Sequence, residues 1–312
     1  MQDGYHIPVL VGKVKSALDV SNASTIADVC LGDGGHAKAL LESAPRLRVI
    51  GIDQDQQAVQ RTLKRLDDYK SRFSVVQGNF RDLKSLLNQA GVEQVDGILA
   101  DLGVSTLQIS EPGRGFMFSE NGRLDMRMDR INNTLTAEQI VNQYEEQELS
   151  RIFYEYGQER KSRRIAHEIA VRRRQEPIET TGQLAAIVRR AAGEPFIIKT
   201  LARIFQALRI AVNRELDSLQ ALLDASLELL RPGGRLAVID YHSLEARIVK
   251  AFFRQQSNPC TCPPDLPVCV CGQKPRLKIV NRLIKPDADE IEKNPRSRSA
   301  RLRVAERTEV PV

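Results

Sequence analysis

The stretch Thr25-Ile-Ala-Asp28-Val-Cys30-Leu-Gly32-Asp33-Gly34-Gly35-His36 decides how this chain folds. Its first half is a short β-prone run, and its second half is a glycine-rich turn. His36 to Ser43 then reads as a helix, which must stop before Pro45. A strand that passes through glycines directly into a helix is the opening unit of a parallel sheet. The next residues repeat the unit. Leu47–Ile52 is a second strand, followed by a helix from about Gln56 to Leu66. Phe73–Gln77 is a third strand, with a helix from Leu83 to Ala90 closed by Gly91, and Val95–Asp101 is a fourth. Strands joined by single-helix crossovers predict an α/β fold, a mostly parallel sheet with helices on both faces.

Beyond about Gln108 the pattern changes, and helix signals run to Lys199 without a convincing strand. Thr136-Ala-Glu-Gln139 and Thr180-Thr-Gly-Gln183 are capping boxes. The second opens a helix that ends at Gly193, with Pro195 beyond it. The expectation is a helical domain, residues 108–199, inserted into an α/β domain made of 1–107 and 200–312. In the resumed α/β part, Leu201–Leu230 reads as one long amphipathic helix. Phe205, Leu208, Val212, Leu216 and Leu219 form its apolar stripe, and Gln206, Arg209 and Asn213 a polar one. Arg231-Pro-Gly-Gly234 breaks it, Arg235–Asp240 is a fifth strand, and Leu244–Gln255 a helix. Two further strands are expected at Leu277–Leu283 and Ser299–Ala305.

Composition fits this plan. The 312 residues are 42% hydrophobic and 28% charged, which excludes global disorder, collagen-like and coiled-coil chains. No apolar run approaches the roughly 18 residues needed to span a bilayer. The first residues lack the order of a signal peptide, so a cytoplasmic location with no membrane partner is expected. Lys plus Arg is 46 and Asp plus Glu 40, a net charge of +6 that permits a polyanionic partner.

Three constellations could carry chemistry. Glycines at 32, 34 and 35 let backbone approach a ligand after the first strand. Asp53, at the end of the second strand, is placed to accept the hydroxyls of an adenosine ribose. The bland alternative is a tight turn with no ligand. The glycines do not follow the G-x-G-x-x-G order that brings a helix end to a pyrophosphate, so S-adenosylmethionine is preferred to a nicotinamide dinucleotide. Arg231 to Ile239 resembles the turn and fifth strand of class I methyltransferases. Asp101 ends the fourth strand, where ligands of open α/β sheets lie, and would face a transferable methyl group; the alternative is a helix cap. Tyr241-His242-Ser243-Leu244-Glu245 follows the fifth strand and should bring His242 near Asp101, or hold it as a buried, satisfied ring.

Nearly the whole chain resembles the bacterial 16S ribosomal RNA cytosine-N4 methyltransferases of the RsmH/MraW type. The resemblance rests on Tyr5-His6-Ile-Pro-Val-Leu10, Gly32–His36, Asp53-Gln-Asp55, Asp101–Ser105 with Gln108, and Arg114-Gly-Phe-Met-Phe118. It continues through Leu124–Asp129, Phe205–Ile210 with Asn213, His242–Glu245 and Asn294–Ser299. It implies a class I methyltransferase fold and S-adenosylmethionine contacts at Gly34, Gly35, His36, Asp53, Phe80, Asp101 and Gln108. It also implies a target cytosine in 16S rRNA of the small ribosomal subunit, near the decoding centre. Asp101 and His242 are the catalytic candidates, and a homodimer is compatible with the sequence. Cys30-Leu31 and Thr106-Leu107 depart from the Thr-Phe and Ser-Pro usual in the family. A rival reading is a basic RNA-binding or ribosome-assembly protein whose α/β domain is not catalytic; the presence of both Asp53 and Asp101 argues against it.

Two basic clusters could meet RNA phosphates or form solvated helix faces. One is Arg160, Lys161, Arg163, Arg164 and Arg172 to Arg174; the other is Arg296, Arg298, Arg301 and Arg303. Cys260-Thr-Cys262 and Cys269-Val-Cys271 could enclose zinc or stand unligated in a loop. Their spacing is tighter than the usual C-x2-C, and no metal is assigned on sequence grounds.

Overall fold

The computed structural model describes residues 7–193, 195–263 and 270–311. Tyr5, His6 and Cys269 lie outside them. The chain divides into two compact units, residues 1–103 with 216–312, and residues 104–215.

The first unit is built on a seven-stranded sheet. In chain order it contains α1 (Val11–Ala17), β1 (Thr25–Asp28), α2 (Gly35–Ser43), β2 (Arg48–Asp53), α3 (Gln56–Arg65), β3 (Phe73–Gln77), α4 (Leu83–Gln89) and β4 (Val95–Asp101). The strand order is β3-β2-β1-β4-β5-β7-β6, where β5 is Leu230–Asp240, β6 Leu277–Ile284 and β7 Arg301–Arg307. β1 to β5 pair in parallel, and β7 runs antiparallel to both β5 and β6. This is a mostly parallel, doubly wound sheet. Its order reverses between β1 and β4, where open α/β sheets place their ligands.

Burial follows the period of two expected for a sheet covered on both sides. Ile50, Ile98, Ala100, Leu236 and Val238 face one core with Leu83, Leu87, Leu222, Leu223, Val249 and Phe252. Ile26, Val49, Leu99, Ala237 and Ile239 face the other, against Val14, Leu18, Leu40 and Leu41.

The second unit is helical: α5 (Thr106–Ser110), α6 (Ala137–Gln143), α7 (Glu146–Glu155), α8 (Ser162–Arg173), α9 (Thr181–Ala192) and α10 (Ile197–Asn213). It has its own core, including Ile140, Leu149, Phe153, Ile165, Ile169, Leu184, Val188, Leu201 and Leu208. Both capping boxes form, at Thr136 and Thr180.

The expected single helix 201–230 is instead two. Arg214 adopts a left-handed conformation with φ 50° and separates α10 from α11 (Glu215–Leu229). The helical unit therefore returns to the α/β unit at Leu216, not at 200. The polar stripe explains the break. Arg209 grips Glu215 across it with two 2.8 Å contacts. Buried Asn213 accepts from the Met128 amide at 2.8 Å and donates to the Met126 carbonyl at 2.8 Å. Asn213, the last residue of α10, thus clamps the Met126–Met128 segment, while Arg209 ties the helix to Glu215 beyond the break. The Arg231–Gly234 turn is counted within β5, with a register shift opposite Val95–Gly97. α12 (Ser243–Ser257) and α13 (Ala288–Lys293) complete the first unit. No helix of the described residues is long and apolar enough to cross a membrane.

Candidate active site

The ends of β1, β2, β4 and β5 converge on the glycine turn. Gly34, at φ 71°, caps α2, and a Cβ there would lie 2.5 Å from the Thr62 methyl. Only glycine meets both demands. The turn is braced from α3: Thr62 donates its hydroxyl to the Gly32 carbonyl at 2.8 Å, and Arg65 donates to the Asp33 carbonyl at 2.7 Å. Asp53 ties it to β2, its Oδ2 accepting from the Gly32 amide at 2.8 Å and its Oδ1 from the Asp55 amide at 2.9 Å. Gly35 is closed over by Pro8, whose ring carbons would stand 3.1–3.2 Å from a Cβ there. The N-terminus of α2 is thus covered where a dinucleotide would set its pyrophosphate.

Asp101, at the end of β4, is held from two sides. The Tyr241 hydroxyl donates to its Oδ1 at 2.7 Å. His36 Nδ1 stands 3.5 Å from its Oδ2, while His36 Nε2 bonds the Val9 carbonyl at 2.8 Å. Burial pushes the Asp101 carboxyl above the ordinary carboxylate range, against the lowering effects of His36 and the Tyr241 hydrogen bond. Burial, then the Asp101 charge and hydrogen bond, raises the Tyr241 phenol, so it stays a donor.

Asp28, at the end of β1, is 1% exposed, and neither carboxylate oxygen has a well-aligned hydrogen-bond partner among the described residues. Burial lifts its carboxyl to about 7 despite the opposing pull of His36 and the Cys30 backbone, and the charges of Asp101 and Asp53 add to the rise. Cys30 lies amid the same acids; burial, then Asp101, Asp28, Asp53 and Glu245, push its thiol upward. Three neighbouring carboxylates, one of them buried without a well-aligned partner, suit a cationic ligand. S-adenosylmethionine, with its ammonium and sulfonium, fits these residues; an anionic pyrophosphate does not.

The other expected positions fall as follows. Phe80 opens a short 3-10 turn after β3 and packs partly buried against the core on one sheet face. His242 turns away into α12: it is the N-cap residue, its Nδ1 accepting from the Glu245 amide at 3.4 Å, with Nε2 3.2 Å from Glu245 Oε1. Tyr241, not His242, is the residue of this block that reaches Asp101. Ser243 is the first residue of that helix. Gln108, in the second unit, is 4% exposed and closes a capping box with Ser105, accepting from its amide at 3.0 Å.

Sequence reasoning passed over Asp28 and Tyr241. Asp28 stood within the deciding stretch, and Tyr241 opened the block quoted for His242. Two arginines assigned to the basic clusters serve structure instead. Arg173 donates to the Val141 and Tyr144 carbonyls at 2.9 and 2.6 Å, capping α6. Arg303, buried, pairs with fully buried Asp240 at 2.8 Å. Arg160, Arg163, Arg164, Arg174, Arg296 and Arg298 are exposed.

The site and sheet agree with what the chain is similar to. It is 46% identical over 308 residues to the ribosomal RNA small subunit methyltransferase H of Carboxydothermus hydrogenoformans, covering 97% of each chain. It is 48% identical over 305 residues to the protein of the same name from Thermomicrobium roseum, covering 97% of this chain and 93% of that one. The Symbiobacterium thermophilum protein of that name is 47% identical over 309 residues, with 96% and 95% covered. The description of the MraW methylase family matches residues 3–308, taking in the helical unit as well as the sheet. With both units inside a single match, the whole chain belongs to the MraW methylase family.

Proposed function

We propose that the protein transfers a methyl group from S-adenosylmethionine to the exocyclic N4 amino group of a cytosine in 16S rRNA, near the decoding centre of the small ribosomal subunit. The observation that carries it is Asp101, held by Tyr241 and His36 at the end of β4. A cytosine amino group is a poor nucleophile because its lone pair is delocalised into the ring. Asp101 accepts one of its N–H bonds, which favours the pyramidal geometry that frees the lone pair. When bound, the cofactor supplies an electrophilic methyl group on a sulfonium. As the N–C bond forms and the C–S bond breaks, the amino group becomes cationic and gives up a proton to Asp101. His36 Nδ1, on the other side of that carboxylate, lies where it can share the proton. In-line alignment supplies further acceleration, and the target base has to leave any helix to reach the site.

Asp28 receives the cofactor's positive charge, Asp53 the ribose, and Gly34, Gly35, His36, Phe80 and Gln108 complete its surroundings. His242 fixes the start of α12 and so positions Tyr241. The helical unit, with exposed Arg163, Arg164 and Arg174, binds the rRNA backbone. The work is cytoplasmic, and a homodimer is compatible with it. Relatives more than 45% identical over nearly the whole chain, all named methyltransferases, favour this over a non-catalytic assembly protein.

The test is in vitro methylation of small subunits from a strain lacking the enzyme, with labelled S-adenosylmethionine. Nuclease digestion and mass mapping should find N4-methylcytidine at one position. Label on a ring carbon or on protein would overturn the assignment.

A further inference from the structure

We propose that Cys260, Cys262 and Cys271 form a structural zinc site in the connection between α12 and β6. Their sulfur atoms all lie within 4.8 Å of one another. Cys260 and Cys271 are 3.8 Å apart, far beyond a disulfide bond of about 2.05 Å. Four thiolates at about 2.3 Å from a tetrahedral zinc have sulfur–sulfur edges of about 3.8 Å. The observed separation matches that edge, with Cys271 Sγ set as a donor to Cys260 Sγ. Cys262 accepts from the Val270 amide at 3.4 Å, the kind of backbone hydrogen bond that stabilises a thiolate ligand.

The segment itself supplies the second argument. Between Ser257, the end of α12, and Leu277, the start of β6, the described residues form no helix or strand. None of them is buried, and Val270 is 78% exposed. Loops longer than about 12–15 residues without structure of their own are uncommon in compact domains. With none of its described residues buried, the three converging thiols are its organising feature, and a metal would take the place of an apolar core. The segment's end is anchored by the Arg276 amide on the Gln256 carbonyl at 2.9 Å and by the Thr308 hydroxyl on the Pro275 carbonyl at 2.8 Å. Zinc suits the sulfur donors and, without redox chemistry of its own, a purely structural place. Binding displaces the thiol protons, so affinity rises with pH. Cys269 repeats the first pair's spacing but lies outside the described residues; the proposal stands on the other three.

The test is elemental analysis of the full chain, purified in reductant without chelator. About one zinc per chain is expected, as for a structural thiolate site. The double variant Cys260→Ser/Cys271→Ser should lose it while its circular dichroism is unchanged, and should be cut faster by protease between α12 and β6. If the variant fails to fold, cobalt titration of the unaltered chain decides: tetrahedral d–d bands with thiolate charge transfer support the site. Stoichiometric iron or copper in place of zinc, a disulfide in the purified chain, or no cobalt bands in reduced protein would each overturn it.

Discussion

The Tyr241 hydroxyl donates to Asp101 Oδ1 at 2.7 Å, across 140 residues of chain. The bond joins the ends of β4 and β5 and leaves Oδ2 facing His36 at 3.5 Å. The Val9 carbonyl can only accept, so His36 Nε2 carries the hydrogen of their 2.8 Å bond. A ring with no second proton would then turn its Nδ1 lone pair toward a carboxylate. The gap between Nδ1 and Oδ2, at 3.5 Å, is longer than an ordinary hydrogen bond.

Tyr241→Phe should therefore slow methyl transfer without unfolding the chain. A hydrogen bond to a charged group contributes about 1.5–3 kcal/mol, so the expected loss is about 10- to 100-fold in rate. The phenol lowers the Asp101 carboxyl, so its removal should also move the acid limb of the rate profile to higher pH. Single-turnover rates across pH check both effects. A slower rate with an unmoved limb would leave Tyr241 as a packing residue.

The raised Asp28 carboxyl predicts that ligand binding depends on pH. Its carboxyl sits at about 7 in the fold, against 3.8 when solvated, so folding favours the neutral acid. This group's contribution to stability is fully present below the solvated value and is lost as pH rises through about 7. A cationic ligand reverses that loss by pairing with the ionised form. The melting-point rise caused by S-adenosylhomocysteine, which keeps the ammonium, should be larger at about pH 8 than at about pH 6. Asp28→Asn should erase the difference. An equal rise at both pH values in the unaltered protein would remove Asp28 from the ligand's surroundings.

The sheet was legible because each strand carried its own local signal, as at Val95–Asp101, whose bounds agree with the expectation. The seven-residue α1 was not, since neither a side-chain cap nor a glycine stop marks its ends. Nor was the break at Arg214, where the apolar stripe runs on and only the partners of Arg209 and Asn213 reveal the stop. The same reason hid the uses of Arg173 and Arg303: sequence shows a charge but not the carbonyl or carboxylate that takes it. Asp53 and Asp101 were visible from their places at strand ends. The Tyr241 contact is a relation between distant segments, which no periodicity encodes.

Among the arginines of the helical unit, exposure now separates two roles. Neutralising Arg163, Arg164 and Arg174 should weaken RNA binding and flatten its salt dependence, by about 0.7–0.9 in log–log slope for each phosphate no longer neutralised. Cofactor affinity should not change. Arg173→Gln, which uncaps α6, should instead lower the melting temperature. An unchanged salt slope in the triple variant would make those arginines solvated surface.

Asp101→Asn separates catalysis from binding. The side chain keeps its size and one carbonyl oxygen, so Tyr241 retains an acceptor and the strand end its shape. The carboxylate charge is removed, and with it the partner for an amino group that turns cationic as the N–C bond forms. A charge-assisted hydrogen bond is roughly twice as strong as a neutral one. Removing one such bond from a transition state costs on the order of 100-fold or more in rate. The amide also cannot take up the departing proton, and His36 no longer has the carboxylate through which it would share it. The variant should fold, bind RNA and, measured by calorimetry, bind S-adenosylmethionine within a few-fold of the unaltered protein. Its single-turnover methyl transfer at saturating cofactor should fall by about two orders of magnitude or more. A rate within a few-fold of the unaltered enzyme would show that the methyl acceptor is positioned and deprotonated by some other group, and would reduce Asp101 to the latch that joins β4 to Tyr241.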